Sequence, residues 1–272
     1  MLYSQQIAVI IPAKDEENAI GLVIKDLLSL HNNDGTSLID RIIVCDNGSS
    51  DKTALVVKDA GAEVVKQESA GYGIACLTAL AKLSDQTDIV VFIDGDYSCK
   101  AEQAFTLCQA VVDGADMVIG SRKLGFIEPG AMTLAQHFGT GLACLLLRLL
   151  YRQPVSDLGP YRAIRKTKLD SLNMQDQRFG WTVEMQAKAF AMKYKIKEVP
   201  VDCMRRIGVS KISGTLSGVI GAGKGIIGTI FKIWWQQKSS DLTTTVPHKN
   251  RRRALSLKNQ PQNVTSAVET RQ

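Results

Sequence analysis

Two aspartates separated by one glycine, Asp94-Gly95-Asp96, close the apolar run 89–93. Carboxylates that near repel each other, and neither is cheaply desolvated without a partner. A divalent cation resolves the conflict. Mg²⁺ or Mn²⁺ takes oxygen ligands, bridges to a diphosphate and neutralises charge on a leaving group. The bland reading is an exposed Asp-Gly turn. Position favours the cation, because other acidic residues end neighbouring apolar runs.

One of these is Asp46 in CDNGSSDKT (45–53), whose carboxylate can accept from a base N–H. Asp51 in the same stretch reads as a helix cap. IPAKDEEN (11–18) leaves an apolar run through Pro12 and places Glu16 at a helix start, within reach of a ribose hydroxyl or the helix dipole. AGYGIA (70–75) is a Gly-rich helix entry whose amides suit a phosphate or ribose, or simply a tight turn. RRIGVSKISGT (205–215) gathers Arg205, Arg206, Ser210 and Lys211 around a glycine hinge. It has the form of a mobile anion-binding loop; a solvated basic loop is the plain alternative. GVIGAGKG (218–225) mimics a nucleotide-binding P-loop but has Gly225 where the magnesium-binding hydroxyl belongs. Small residues four apart point instead to a closely packed helix.

These residues need strands and helices to hold them. Apolar runs at 7–11, 41–45, 62–66, 88–93 and 115–120 suit strands buried on both faces, as in a parallel sheet. Amphipathic segments 16–30, 51–60, 72–84 and 100–113 lie between them. The alternation predicts a doubly wound α/β sheet, with ligands at the carboxyl ends of the strands. Asp46, Asp94, Asp96 and Gly120-Ser121-Arg122 all fall at such ends. Beyond Arg122, 138–151 is apolar, 181–193 is helix-like and 195–203 is strand-like.

Composition bounds the rest. The chain of 272 residues is 45% hydrophobic and carries a net charge of +6. From 236 on, seven Lys/Arg oppose Asp241 and Glu269, so the tail holds +5 of that charge. A near-neutral body argues against a nucleic-acid-binding fold. Six scattered cysteines and three histidines give no zinc-ligand spacing and suit reduced thiols in the cytosol. The opening MLYSQQIAVIIP lacks a basic signal region, and no run of about 20 uncharged apolar residues spans a membrane. The expected organisation is a catalytic domain over 1–211, an apolar Gly-rich helical segment over 212–235 and a disordered basic tail over 236–272.

IPAKDEEN, CDNGSSD, IDGDYS and GSR, at these spacings, resemble the glycosyltransferase family 2 catalytic domain. VSDLGPYRAIRK and RRIGVSKISGT resemble the acceptor and closing-loop segments of its dolichol-phosphate mannosyltransferase-like branch. The resemblance covers about residues 5 to 235. It implies a GT-A-type, Rossmann-like sheet and an inverting, metal-dependent hexosyltransferase using UDP- or GDP-linked sugar. In that light Pro12, Glu16 and Asp46 match nucleotide contacts. Asp94 and Asp96 match the diphosphate and the Mg²⁺ or Mn²⁺ positions. Arg205 or Arg206, with Ser210 and Lys211, match the loop that closes on the donor. Arg122 and Arg162 match arginines near the acceptor phosphate. The chain departs from the family pattern at Lys14-Asp15-Glu16, at Asp46-Asn47 and at Ser98.

A polyprenyl or dolichyl phosphate acceptor brings its own anionic oxygen and needs no base. A hydroxyl acceptor does need one. Asp157 and Glu184 are then the candidates, Glu184 favouring a structural ion pair. A lipid acceptor predicts a peripheral protein at the cytoplasmic face of a membrane, with 138–151, 212–235 and Trp234-Trp235 at the interface. The alternatives are a family 2 enzyme acting on a sugar or small-molecule hydroxyl, or a silent nucleotide-binding protein at the membrane.

Overall fold

The structure, a computed structural model, describes residues 4–208 and 216–244. Seven strands form one sheet: β1 (Ile7–Ala13), β2 (Arg41–Asp46), β3 (Glu63–Lys66), β4 (Ile89–Phe92), β5 (Met117–Ser121), β6 (Arg162–Arg165) and β7 (Ile196–Pro200). Their spatial order is β3-β2-β1-β4-β6-β5-β7. The five runs read from sequence all form strands. The sheet they join is mixed rather than parallel, because β6 lies antiparallel between β4 and β5.

Side-chain alternation explains why these runs are continuously apolar. Val9, Ile11, Val91 and Ile93 point into the core on one face of the sheet, and Ile10, Val90 and Phe92 into the core on the other. Every position is therefore buried, at about 1.5–3 kcal/mol per large apolar side chain. Helices α1 (Ile20–Leu28) and α4 (Ala104–Val112) cover the first face. Helices α3 (Tyr72–Leu80), α6 (Lys166–Leu172) and α7 (Trp181–Ala191) cover the second, where Trp181 meets Phe92 edge-on at 6.1 Å. The short helix α2 (Thr53–Asp59) adds buried Val57 to the first core.

Helix α5 (Leu134–Tyr151) starts at a capping box made by Thr133 and Gln136. Ala143, Cys144 and Leu147 bury one side of it against Val183 and Ala187 of α7. The last helix, α8 (Leu216–Thr244), adds Ile230 and Ile233 to the same cluster. It contains GVIGAGKG, in line with the rejection of a P-loop. It also runs past 235, so the boundary drawn there falls inside a helix, and 236–244 is helical rather than disordered. Residues 245–272 lie outside the described residues. Contacts divide the chain into a unit over 1–234 and a second over 235–272. Among the described residues no helix is long and apolar enough to cross a membrane.

Candidate active site

The central strands β2, β1 and β4 end side by side at Asp46, Ala13 and just before Asp94. Two strand spacings, about 10 Å, separate the first end from the last. Strand order reverses between β1 and β4, which is where doubly wound sheets open a ligand crevice.

Asp94 leaves β4 half-buried, and its Oδ1 accepts from the Tyr72 hydroxyl at 3.0 Å. Burial and the adjacent charge of Asp96 push its carboxyl up to about 6. Asp96 is 4% exposed. Its Oδ1 accepts from the Ser98 amide at 3.0 Å, and its Oδ2 pairs with Arg206 at 2.8 Å. The turn is closed by Tyr97 at φ +64°, whose hydroxyl donates to Asp26. The segment after β7 zips onto this turn: Met204 N–H donates to the Ser98 carbonyl and Ile207 N–H to the Asp96 carbonyl.

The nucleotide-side residues sit in two interlocked loops. Asp46 is 6% exposed and accepts from the Ser49 amide. Asn47 is structural: its Nδ2 donates to the carbonyls of Gln67 and Ser69, and its Oδ1 accepts from the amide of Gly71. Asp15, at φ +50°, accepts from Ser50, and Glu17 from the Lys52 amide. Asp51 accepts from Thr53 at the start of α2 and also from the Glu17 amide, so it ties the loops as well as the helix. Glu16 opens α1 with its carbonyl, which accepts from Ala19 and Ile20. A Cβ on Gly208 would stand 3.9 Å from Glu16 Oε2, so the segment leading from Asp96 reaches Glu16. Pro12 pairs with Cys45 one step before the strand ends.

A second group lies beyond β6. Arg122, just after β5, makes a two-pronged pair with Asp157: Nε to Oδ2 at 2.8 Å and Nη2 to Oδ1 at 2.7 Å. Asp157 also accepts from the amides of Arg122 and Leu158 and is 1% exposed. Burial works to raise its carboxyl, but Arg122 outweighs that and holds it below its ordinary value. Glu198 accepts from the amides of Ser156 and Asp157 and so fixes this loop. The close approach needs Gly159, since a Cβ there would strike the Gly120 carbonyl. Beside the pair is a small crevice lined by Arg122, Lys123, Ile127, Met132, His137 and Thr140.

Several expectations change. Arg162 is fully buried and donates to the carbonyls of Leu158, Gly159 and Thr182, leaving no exposed group for an acceptor. Burial brings its guanidinium down to about 10. Asp157, proposed as a base for hydroxyl acceptors, is engaged on both oxygens. Arg205 pairs with Glu128 and Pro129, whereas Arg206 reaches Asp96. Glu184 is structural, accepting from the amides of Gln175 and Asp176 and pairing with Lys188. The amides of AGYGIA do not face a phosphate: Gly73 and Ile74 donate to the carbonyls of Arg178 and Gln177. That contact requires glycine, because a Cβ on Gly73 would strike the Asp176 carbonyl. Ser210 and Lys211 lie outside the described residues. The residue missed was Tyr72; a tyrosine between two glycines was the available signal.

A sheet of this order, with paired aspartates after its central strand and an Arg–Asp pair beyond it, defines a GT-A-type α/β transferase domain. The glycosyl transferase family 2 model matches residues 8–177, and the chain belongs to that family. An uncharacterized glycosyltransferase of Mycobacterium tuberculosis is 32% identical over 217 residues, covering 79% of this chain and 93% of its own length. A dolichyl-phosphate hexose transferase of Haloferax volcanii is 29% identical over 233 residues, covering 81% and 92%. Among solved structures, glucosyl-3-phosphoglycerate synthase from Mycobacterium tuberculosis, in complex with Mn²⁺, UDP-glucose and phosphoglyceric acid, is similar at TM-score 0.69 and 26% identity. That match covers 85% of this chain and 80% of the synthase.

Proposed function

We propose that this glycosyltransferase moves a sugar, with inversion, from a nucleotide-diphosphate donor to a polyprenyl-type lipid phosphate at a membrane surface. The observation that carries the acceptor assignment is the crevice beside Arg122. One of its walls is α5, which supplies His137 and Thr140. The same helix leaves Leu134, Phe138, Leu145 and Leu149 at 88%, 75%, 51% and 66% exposure. At 100° per residue these four fall within about 60° of arc, a single apolar stripe. Leu124 and Phe126, next to Lys123, are also exposed. A cationic crevice beside an apolar stripe suits a phosphate carried on a lipid, the stripe lying in the bilayer interface. The relation to a dolichyl-phosphate hexose transferase supports the same reading.

The residues present fit a divalent cation. Asp94 and Asp96 are hard oxygen ligands whose mutual repulsion already shows in Asp94. Among the described residues no third His, Cys, Asp or Glu completes a cluster, so diphosphate oxygens and water would make up the shell. The bound cation supplies neutralisation of the leaving diphosphate. Tyr72 orients Asp94, and Ser98 orients Asp96. Asp46 and Glu16 receive the nucleoside. Asp157 holds the Nε–Nη2 edge of the Arg122 guanidinium and leaves Nη1 for the acceptor phosphate. A phosphate oxygen is anionic near neutral pH and attacks without a general base, in keeping with an Asp157 that has no free oxygen.

The likeness to glucosyl-3-phosphoglycerate synthase favours a second reading, in which Arg122 binds a soluble phosphorylated acceptor that reacts through a hydroxyl. Radiolabelled UDP- or GDP-sugar, incubated with Mn²⁺ or Mg²⁺ and polyprenyl phosphate in vesicles, separates the two. Label in the organic extract supports the lipid acceptor. Label transferred only to a soluble phosphate compound refutes it, and no turnover with any donor points to a silent binding protein.

A further inference from the structure

We propose that Arg206 is an exchangeable counter-ion: it holds Asp96 until a cation and a nucleoside diphosphate arrive together, then moves to the diphosphate. The inference rests on the donor chemistry proposed above and adds an order of events to it.

The geometry is specific. Arg206 Nη2 lies 2.8 Å from Asp96 Oδ2, with the Asp96 carboxylate 6% and the Arg206 side chain 32% exposed. The second oxygen of Asp96 is taken by the Ser98 amide. Both oxygens are therefore satisfied by the protein. The pairing is imposed by backbone, since Met204 and Ile207 are hydrogen-bonded to Ser98 and Asp96 and set the arginine between them over the turn. Arg205 is turned away to Glu128 and Pro129.

A cation binding at Asp94 and Asp96 must share or displace the guanidinium, and two positive groups on one carboxylate repel. A diphosphate removes the conflict, because its oxygens accept a guanidinium fork at least as well as a carboxylate does. Cation and diphosphate must then help each other bind, and by linkage to the same extent. A cation alone binds weakly against the resident arginine. A site empty of donor thus has the charge of Asp96 balanced and its turn held in place, and cation occupancy is made conditional on donor.

The experiment is a Mn²⁺ titration of the full chain followed by the electron paramagnetic resonance signal of free Mn²⁺, with and without UDP and, separately, GDP. Arg206→Gln removes the competitor: Mn²⁺ alone should bind about three- to tenfold tighter than to wild type, the range expected for a partly exposed ion pair. The enhancement of Mn²⁺ affinity by the nucleotide should fall by a similar factor. Arg206→Lys keeps the charge but loses the fork, so Mn²⁺ alone should bind as in wild type while the enhancement still drops. Arg41→Gln, which removes a surface pair with Glu63, is the control and should change neither quantity. Unchanged Mn²⁺ affinity in Arg206→Gln, with full enhancement by nucleotide, overturns the inference. If Arg206→Gln does not fold, full enhancement in Arg206→Lys overturns it equally. If wild type binds no Mn²⁺ with either nucleotide, the donor reading fails, and the inference with it; the two failures are therefore told apart.

Discussion

Replacing Asp157 by Asn tests whether this carboxylate positions Arg122 or takes a proton. The side chain accepts four hydrogen bonds: from Arg122 N at 2.9 Å, Nε at 2.8 Å and Nη2 at 2.7 Å, and from Leu158 N at 2.8 Å. An amide keeps one oxygen and turns an NH₂ toward two of those donors. It also leaves a guanidinium of 16% exposure without its counter-charge. Breaking such a pair costs roughly 3–5 kcal/mol, or about 6–20 °C in Tm for a domain of this size. Arg122→Met combined with Asp157→Leu should recover most of that, since the buried charge goes with its partner. Asp157 is held below its ordinary value, so its stabilisation is complete above about pH 4 and is lost as pH falls through the folded value. The stability gap between wild type and Asp157→Asn should be flat from about pH 5 to 8 and close below about 4. In steady-state assays the misplaced Arg122 should raise the acceptor KM and lower kcat/KM by about 10- to 100-fold, with the shape of the pH profile unchanged. A fall in kcat of about 10²–10⁴ at unchanged acceptor KM, with the pH profile altered, would refute this reasoning and make Asp157 a general base.

Four further outcomes follow from the geometry. Burial and Asp96 raise the Asp94 carboxyl to about 6, so protons compete with the cation there, and UDP binding measured calorimetrically with Mn²⁺ should weaken below pH 6 and level off above it. Without a cation the sign for stability reverses: Asp94's contribution is largest below about pH 4 and declines as pH rises through 6, so in EDTA the Tm gap to Asp94→Asn should track that window. Gly73→Ala should destabilise by about 1–3 kcal/mol in urea titration, since its Cβ drives against the Asp176 carbonyl and the α3 entry has to shift. Leu145→Glu with Leu149→Glu should cut sedimentation with anionic vesicles about tenfold or more while leaving Tm within about 2 °C, because both side chains already face outward.

Much of the sheet was legible because burial on both faces leaves a plain trace. The runs 7–11, 41–45 and 88–93 are apolar at nearly every position, as the two cores on either side of β1 and β4 demand. Strand β6 left no such trace. It is four residues long, begins and ends with arginine, and owes its place to pairing with β4 and β5 and to partners such as Thr182, whose carbonyl Arg162 reaches, and Val111 and Ala115, whose carbonyls Arg165 reaches. Burial hid the fate of Arg162, which local sequence does not disclose. A basic residue in a polar segment reads as a ligand for phosphate until the carbonyls that surround it are known. Tyr72 was passed over for the converse reason, since the glycines around it drew attention to backbone amides that Gln177 and Arg178 occupy.

By itself the sequence determined the chemistry available: hard oxygen ligands one residue apart, acidic side chains at the ends of three apolar runs, and arginines enough for two phosphates. It determined this because residue type and local spacing set what a strand end can present. Only the tertiary structure decided which arginine does what. Arg206 lies on Asp96, Arg122 on Asp157, Arg205 on Glu128, and Arg162 inside the fold. All four side chains carry the same charge and reach, and what distinguishes them is the carboxylate or carbonyl that folding sets against each, brought from far along the chain for Arg122, Arg205 and Arg206 and packed inside the fold for Arg162.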